Sequence, residues 1–331
     1  METILGIDLP TWWFLVLGAV LSGYAILDGF DLGAGALHLF FKKEESRRIA
    51  LNAIGPVWDG NEVWLVIGGG ALFAGFPVVY ATIFSALYEL FMVFLVMLIF
   101  RAISIEFRSK ESMIWWRKLW DICYCTSSVL LALSLGLVLG NVIQGLAIDQ
   151  NYTHQGTLLD LFNPYSLLIS VTTLALFMMH GAIYLVMKTE NRLYAKLTIL
   201  VKNTTIFFVL MFSLTSVATL LYIPHMVARY KEVPYMFAFP GLAILAVANI
   251  TRQISRRKYF FSFLSSAFVT AMLMILVAVG LYPNIILSTL DPTLHITVYN
   301  GSSTEKTLKI MLTFAAIGIP LVGIYTSFVF W

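Results

Sequence analysis

Six acidic residues lie inside long apolar stretches of the sequence, where an ionised side chain is costly. They are Asp28, Asp31, Asp59, Glu62, Glu89 and Asp121. A charged group at the centre of a bilayer costs about 2.5 kcal/mol or more, so such residues are candidates for function. Carboxylates that lie close together in a low dielectric cannot all be ionised, and their titrations become coupled. Groups of this kind suit a path that carries protons into a membrane protein from one side.

The spacing of four of these acids groups them into two pairs. Asp28 and Asp31 are three residues apart, as are Asp59 and Glu62, so each pair shares one face of a helix. The helical rise places both pairs at a comparable depth, on the side of the basic connection between their helices. Asp121 is expected at a similar level. No Lys or Arg is placed deep enough to pair with them all, so some of these acids should hold protons near neutral pH.

The aromatic and amide neighbours of the second pair favour a functional role for it. Trp58, Asn61 and Trp64 flank Asp59 and Glu62 within a single stretch of seven residues, WDGNEVW. The alternative is that these acids cap or hydrogen-bond neighbouring helices and move no protons. The sequence therefore predicts that Asp59 and Glu62 act in proton transfer.

For two of the remaining acids, a role in helix packing and a role in proton transfer are equally well supported. Asp28 and Asp121 can equally well serve helix packing or proton transfer, and both interpretations stay open. Glu89 stands alone in the middle of its predicted span, and its role also stays open. His180 is the histidine that lies clearly within a span, and we expect it to be a core residue. No pair of facing histidines, the usual arrangement for a membrane haem, can be assembled from the sequence.

The elements that must position these acids are apolar helices. The chain has 331 residues, of which 60% are hydrophobic and 12% charged. This composition excludes a soluble enzyme, a nucleic-acid binder and a disordered chain. A helix needs about 20 apolar residues to cross a bilayer. Nine stretches meet this requirement: 11–40, 53–74, 78–100, 119–144, 161–187, 199–222, 235–251, 259–281 and 308–331.

The basic residues are confined almost entirely to alternate connections between these spans. The connections 41–52, 101–118, 188–202 and 252–258 hold four, five, four and four of the 21 Lys and Arg residues. The remaining basic residues are Arg229, Lys231, Lys306 and Lys309. By the positive-inside rule, the N-terminus lies outside and the C-terminus in the cytoplasm. Nine spans satisfy this alternation, and adding or removing one span breaks it.

The fold class is therefore an all-α integral membrane protein with nine transmembrane helices and one membrane domain, residues 1–331. We expect a first four-helix bundle over 1–145, which carries the acidic cluster, and a second over 146–282. An outer loop and a peripheral terminal helix follow over 283–331. Gly29, Gly33 and Gly68 to Gly70 provide small-residue faces for close helix contact.

Two motifs of the first half resemble a known family. LDGFDLGAG (27–35) and GPVWDGNEVWLV (55–66) are similar to subunit II of cytochrome bd-type quinol oxidases. FRSK (107–110), GNVIQG (140–145) and LFNPYSLL (161–168) extend the resemblance, which is densest over residues 20–145.

The resemblance implies a function for the whole complex and a role for single residues. Such a complex oxidises quinol and reduces dioxygen to water in the bacterial cytoplasmic (inner) membrane. Haems b and d belong to subunit I, so this chain holds no complete active site and no metal. Subunit II acts as a scaffold for subunit I and supplies a cytoplasmic proton route, to which Asp59 maps. Asp31 and Asp121 match acidic positions of the family, and Trp64 matches a tryptophan near an oxygen path.

Other partners implied by the resemblance are a structural quinone and a small single-helix subunit, with lipid around the chain and no nucleic acid. Trp58, Asn61 and Trp64 are expected at the oxygen path or at the interface with subunit I. A stand-alone proton- or ion-coupled transporter is the alternative, because buried acids and glycine-rich helices fit it as well. A symmetric transporter would have a broken helix in each half. Here the acids are confined to the first half, which counts against it.

Overall fold

The structure, a computed structural model, describes residues 3–330 of the chain. The side chains of residues 191, 192, 229, 329 and 330 are not among those described. Two of the basic side chains used above for orientation, Arg192 and Arg229, are therefore outside the described part of the chain. The same holds for residue 331, where the last predicted span ends.

Helices make up most of the described chain. Residues 3–330 form α1 (Leu9–Ala36), α2 (Glu44–Ile54), α3 (Trp58–Gly75), α4 (Pro77–Ala86), α5 (Tyr88–Phe107), α6 (Ile114–Gln144), α7 (Pro164–Met187), α8 (Asn191–Tyr222), α9 (Pro224–Glu232), α10 (Ala238–Ser255), α11 (Tyr259–Leu281) and α12 (Glu305–Phe330). Short 3-10 helices cover His38–Phe40, Leu158–Phe162, Pro234–Phe237 and Pro292–Leu294. The prediction of an all-α membrane protein is confirmed.

The described residues contain eight helices that are long and apolar enough to cross a membrane, or up to nine with a bent pair counted as one span. That pair is α3 and α4, whose axes differ by 120°. The break falls at Phe76, whose backbone is not helical (φ −135°, ψ 67°), and α4 begins at Pro77. A proline disfavours the helical conformation in the residue before it. The predicted span 78–100 is thus divided between α4 and α5.

Helix α1 is central to the packing because it contacts α3, α6, α7 and α11. Its contact with α7 brings the two backbones together, since a Cβ atom at Gly33 would overlap the backbone of Phe177. A Cβ atom at Gly181 of α7 would likewise overlap the backbone of Ala34. The close helix contact predicted at Gly33 is confirmed. The same prediction is wrong for Gly69 and Gly70, because a Cβ atom at either would meet open space. The division into two four-helix bundles stays a prediction.

The four basic connections meet at one end of the helices. Arg108, after α5, bonds to Glu44 at the start of α2, and Tyr184 of α7 donates a hydrogen bond to the carbonyl of Ala53 on α2. The ring of Tyr194 on α8 contacts that of Tyr259 on α11. We call this end of the molecule the basic end. That it faces the cytoplasm stays a prediction.

At the opposite end, two segments each form a short antiparallel strand pair. The strands are β1 (Thr3–Ile4) with β2 (Ile7–Asp8) before α1 and β3 (Asn284–Ile286) with β4 (Ile296–Thr297) before α12. The connection after α6 joins the connection before α12, because Leu146 N donates to Leu287 O at 2.8 Å. A hydrogen bond between the hydroxyls of Thr11 and Tyr282 links the start of α1 to the end of α11.

The largest apolar core lies between α1, α6 and α7, close to the acids. Phe30, Leu131 and Ala182 are among its buried members. The ring of Phe30 stacks on that of Tyr184 with centroids 4.1 Å apart. This packing holds α1 at a fixed rotation, so the side chains of its acids point in defined directions.

Candidate functional site

Arg101 of α5 is fully buried and binds two of the predicted acids. Its guanidinium donates from Nη2 to Asp28 Oδ1 at 2.5 Å and from Nη1 to Asp28 Oδ2 at 3.0 Å. Nη1 also reaches Glu62 Oε2 at 3.4 Å. A bidentate arginine–carboxylate contact is among the strongest hydrogen-bonded ion pairs in proteins. The buried acids on α1 and α3 therefore share one cation, contributed by a third helix.

The sequence pattern placed Arg101 in the basic connection 101–118, which is why its role was missed. In the structure α5 continues to Phe107, so Arg101 lies about 9 Å inside the helix end. The apolar run ends at Phe100, and that boundary alone suggested a residue at the membrane surface. Arg101 lies six residues before the end of α5. Recognising that the helix continues past the apolar run would therefore have placed Arg101 inside it.

Asp31 and Asn61 form the second contact between α1 and α3. Asn61 Nδ2 donates to Asp31 Oδ2 at 2.8 Å and lies 3.3 Å from the carbonyl of Leu27. Asp31 is fully buried, and its Oδ1 has no hydrogen-bond partner among the described residues. The predicted comparable depth of the two acid pairs is confirmed by this contact and by the shared Arg101.

The acids of α3 differ in exposure along the helix. Asp59, in the first turn, is exposed. The side chain of Glu62, one turn further on, is 21% exposed. Asn61 is buried. The first turns of α3 therefore lead from the surface of this chain to the buried Arg101.

The two predicted tryptophans lie on the same helix. Trp58 and Trp64 are both half-buried. The ring of Trp64 rests on Gly23 of α1, where any side chain would overlap it. Trp64 also lines an apolar groove of about 360 Å³ between α1, α3 and α12, together with Trp13 and Phe314. The predicted roles at an oxygen path or a subunit interface stay predictions.

Asp121 belongs to a separate cluster at the basic end. Its Oδ1 lies 2.5 Å from His38 Nε2 and accepts from Arg108 Nε at 2.5 Å, while Oδ2 accepts from Arg47 Nη1 at 2.9 Å. His38 is seven residues beyond Asp31, or about 10 Å along the helix direction. The expected common level of Asp121 and the other acids is thus wrong. The reason is that α6 begins at Ile114, below the level of the Arg101 cluster.

Glu89 also differs from its predicted position. The chain breaks at Leu87, so Glu89 lies in the first turn of α5 and not in the middle of a span. Its side chain is exposed on this chain.

The two buried histidines, His180 and His38, contact other groups of this chain. His180 uses both ring nitrogens, with Nδ1 2.7 Å from Ser266 Oγ and Nε2 3.1 Å from the carbonyl of Ile26. Its ring stacks on Phe263. His38 is held against Asp121. Within residues 3–330, no group of three or more His, Cys, Asp or Glu side chains is placed to hold a metal ion.

Fold and site together define a multi-spanning α-helical membrane protein. Its spans contain a buried ion-pair cluster, and a second cluster lies at the basic end. Residues 9–331 match the family model described as cytochrome bd terminal oxidase subunit II. The chain belongs to this family.

Curated relatives agree with this assignment. The chain is 32% identical to a Haemophilus influenzae protein described as a "probable cytochrome oxidase subunit 2", covering 95% of this chain and 91% of the relative. It is 31% identical to cytochrome bd ubiquinol oxidase subunit 2 of Bacillus subtilis, covering 94% and 91%. It is 28% identical to cytochrome bd-I ubiquinol oxidase subunit 2 of Escherichia coli, covering 97% and 92%.

A solved structure shows the same fold. A chain of the bd oxidase from Geobacillus thermodenitrificans superposes with a TM-score of 0.81 at 19% identity, covering 97% of both chains. Family membership makes the chain a subunit of a respiratory oxidoreductase complex in the inner membrane, with a subunit I partner, a quinol substrate and haems in the complex. It favours the oxidase subunit over the stand-alone transporter.

Proposed function

We propose that this chain is the scaffold for the haem-bearing subunit I and conducts protons to it from the basic end. The observation that carries the proposal is the gradient of exposure across α3 and α1. Asp59 is exposed, Glu62 is partly exposed, and Asp28 and Asp31 are fully buried. A series of acids of increasing burial is what a proton needs to leave water and enter a membrane protein.

Each residue of this cluster has a distinct part in the proposed route. Arg101 holds Asp28 with both of its terminal nitrogens, which fixes the position of that carboxylate beside α5. Glu62 is held only by the longer contact of 3.4 Å and reaches the surface, so it can exchange a proton with Asp59. Asp31 has the buried carboxylate oxygen without a partner among the described side chains, and it can accept the proton next.

Asp121 has a different part, which is to organise the opening of the route. It holds His38, Arg47 and Arg108 together where α1, α2, α5 and α6 meet. This network fixes the ends of these helices relative to one another at the basic end. Asp121 thereby remains in the proposal as a positioning residue.

The remaining parts of the complex follow from the family to which the chain belongs. We assign haems b and d to subunit I, as the resemblance to subunit II of cytochrome bd-type oxidases implies. The groove lined by Trp64 is the proposed place for an oxygen passage or for contact with subunit I. A structural quinone and a small single-helix subunit stay part of the proposal for the whole complex.

The proton role is tested by replacing Asp59 with Asn in the complex expressed with subunit I. Oxygen consumption with quinol and proton uptake from the cytoplasmic side are measured in vesicles. We expect both to slow in Asp59→Asn and in Glu62→Gln, because each variant removes a group that can bind and release a proton. Glu45→Gln, an exposed acid on α2, is the control and should keep wild-type rates.

The result that contradicts the proposal is wild-type oxygen consumption and proton uptake in Asp59→Asn, with haem content and subunit ratio unchanged. The absorbance spectrum of each purified variant gives the haem content. Loss of haem without loss of this chain would instead indicate that the substitution damages the scaffold.

A further inference from the structure

The connection between α10 and α11 is a cationic surface without counterions. Arg252, Arg256, Arg257 and Lys258 are all exposed, and none of them forms an ion pair with any described residue. The sequence has no Asp or Glu over residues 233–290. In the first half of the chain, by contrast, several arginines of the basic end are bound by acids. The positive charge of this turn is therefore available to an external anion.

The turn has a fixed backbone, so the cations are presented in a defined arrangement. Lys258 N donates to Gln253 O and Arg257 N donates to Ile254 O, both at 3.0 Å. These two bonds form a Schellman motif at the end of α10. Arg257 has φ +55°, in the left-handed region where that motif usually has glycine. A cation thus stands at a position where the backbone alone would favour Gly.

An apolar groove begins beside this turn and runs toward the middle of the membrane. It lies between α10 and α11, has a volume of about 370 Å³, and is lined by Leu242, Leu245, Phe261 and Phe268, among others. A polar pair, Asn249 Nδ2 donating to Ser265 Oγ at 2.8 Å, marks its end near the turn. From that pair to Leu242 the groove extends about 10 Å along the helix.

We propose that this turn and groove, the α10–α11 site, bind an anionic phospholipid of the cytoplasmic leaflet. The phosphate lies on the cations of the turn, the polar pair faces the glycerol esters, and an acyl chain occupies the groove. Charge complementarity favours this occupant, because the cytoplasmic leaflet is negatively charged and attracts basic segments at the membrane surface. A soluble anion would use the turn but leave the groove without a role. A zwitterionic lipid would bring its own ammonium group near the cations and no net negative charge to balance them.

The test is native mass spectrometry of the detergent-purified complex with subunit I. The complex is titrated with phosphatidylglycerol and, separately, with phosphatidylcholine carrying the same acyl chains. We expect tighter binding of phosphatidylglycerol. The triple variant Arg252→Gln, Arg256→Gln, Lys258→Gln should weaken that binding by about fivefold for each cation removed. Lys42→Gln, Lys43→Gln is the matched control on another exposed part of the basic end and should bind as the wild type does.

Two further variants separate binding from folding. Arg257→Gly removes a cation but relieves the left-handed backbone, so it should weaken phosphatidylglycerol binding about fivefold while stability is kept or increased. Leu245→Gln, at an exposed position that lines the groove, makes the groove polar without changing the core and should weaken the binding of both lipids.

The proposal is overturned if the two lipids bind with equal affinity, or if the triple variant and Arg257→Gly both keep wild-type affinity. It is also overturned if free glycerol phosphate competes as effectively as phosphatidylglycerol does. Binding of neither lipid, because subunit I covers the site, would overturn it as well.

Discussion

Removing the positive charge of Arg101 should destabilise the complex more than any other single change in the buried cluster. Both Arg101 and Asp28 have no exposed side-chain surface, and two short hydrogen bonds join them. In Arg101→Met, Asp28 would be left as an uncompensated buried charge. Breaking such a pair from one side costs about 3–5 kcal/mol, whereas replacing both partners by apolar residues is often neutral.

These magnitudes predict an order among four variants. Arg101→Met should lower the free energy of unfolding by about 3–5 kcal/mol, and the double variant Asp28→Leu, Arg101→Met by about 1 kcal/mol or less. Asp28→Asn should lie between them, because Asn keeps one acceptor and Glu62 still balances part of the charge. Glu62→Gln should cost about 1 kcal/mol or less, since that side chain is 21% exposed and its contact is long.

The assay is unfolding of the purified complex in mixed micelles with increasing dodecyl sulfate, followed by tryptophan fluorescence. Refolding from the midpoint must be checked, because membrane complexes often unfold irreversibly and then report a rate. Equal losses for Arg101→Met and for the double variant would refute the electrostatic reasoning, since a packing defect would then explain both. A stable double variant that has also lost proton uptake would connect this pair to the proposed route.

Three further predictions concern other parts of the chain. Gly33→Leu should prevent α1 from approaching α7 and lower the free energy of unfolding by about 3 kcal/mol or more in the same assay. Its control is Gly18→Leu, at an open position of α1. Asp121→Ala should cost about 3–5 kcal/mol, because the buried Arg108 loses its main partner, and Asp121→Asn should cost less; equal effects would contradict this reason. Hydrogen bonding from Thr153 N–H lowers the pKa of Asp149 below its ordinary value, so its contribution to the order of residues 147–155 is complete above pH 3.8 and lost as pH falls through the lower folded pKa. The protection factors of that segment, which are corrected for the intrinsic pH dependence of amide exchange, should fall on acidification in the wild type, whereas in Asp149→Ala they should already be low above pH 3.8.

Residues whose role depends on local sequence were predictable. The depth of the acid pairs on α1 and α3 followed from helical rise and from the short basic connection, and the contact between Asn61 and Asp31 confirms it. A close helix contact at Gly33 was predicted in the same way, although its partner, α7, was not. In both cases the predicted part required only a helix and its immediate neighbours in sequence.

Residues whose role depends on the meeting of distant elements were not predictable. Arg101 was assigned to the surface because it follows an apolar run, yet its side chain reaches Asp28, 73 residues away in sequence. Asp121 was grouped with the other acids by its position at the start of a span, but its partners are His38, Arg47 and Arg108. Which cation reaches which acid depends on the rotation and vertical offset of packed helices.

By itself, the sequence determined that the chain is a membrane protein, which stretches are apolar enough to span, and that the basic connections alternate. It could do so because hydrophobicity and charge act on each segment separately when it enters the bilayer. The tertiary structure alone decided the bend between α3 and α4, the strands that join distant connections, and the division of the polar residues into two clusters. These features depend on contacts between segments far apart in the chain, where burial makes each charge depend on the partner that packing brings to it.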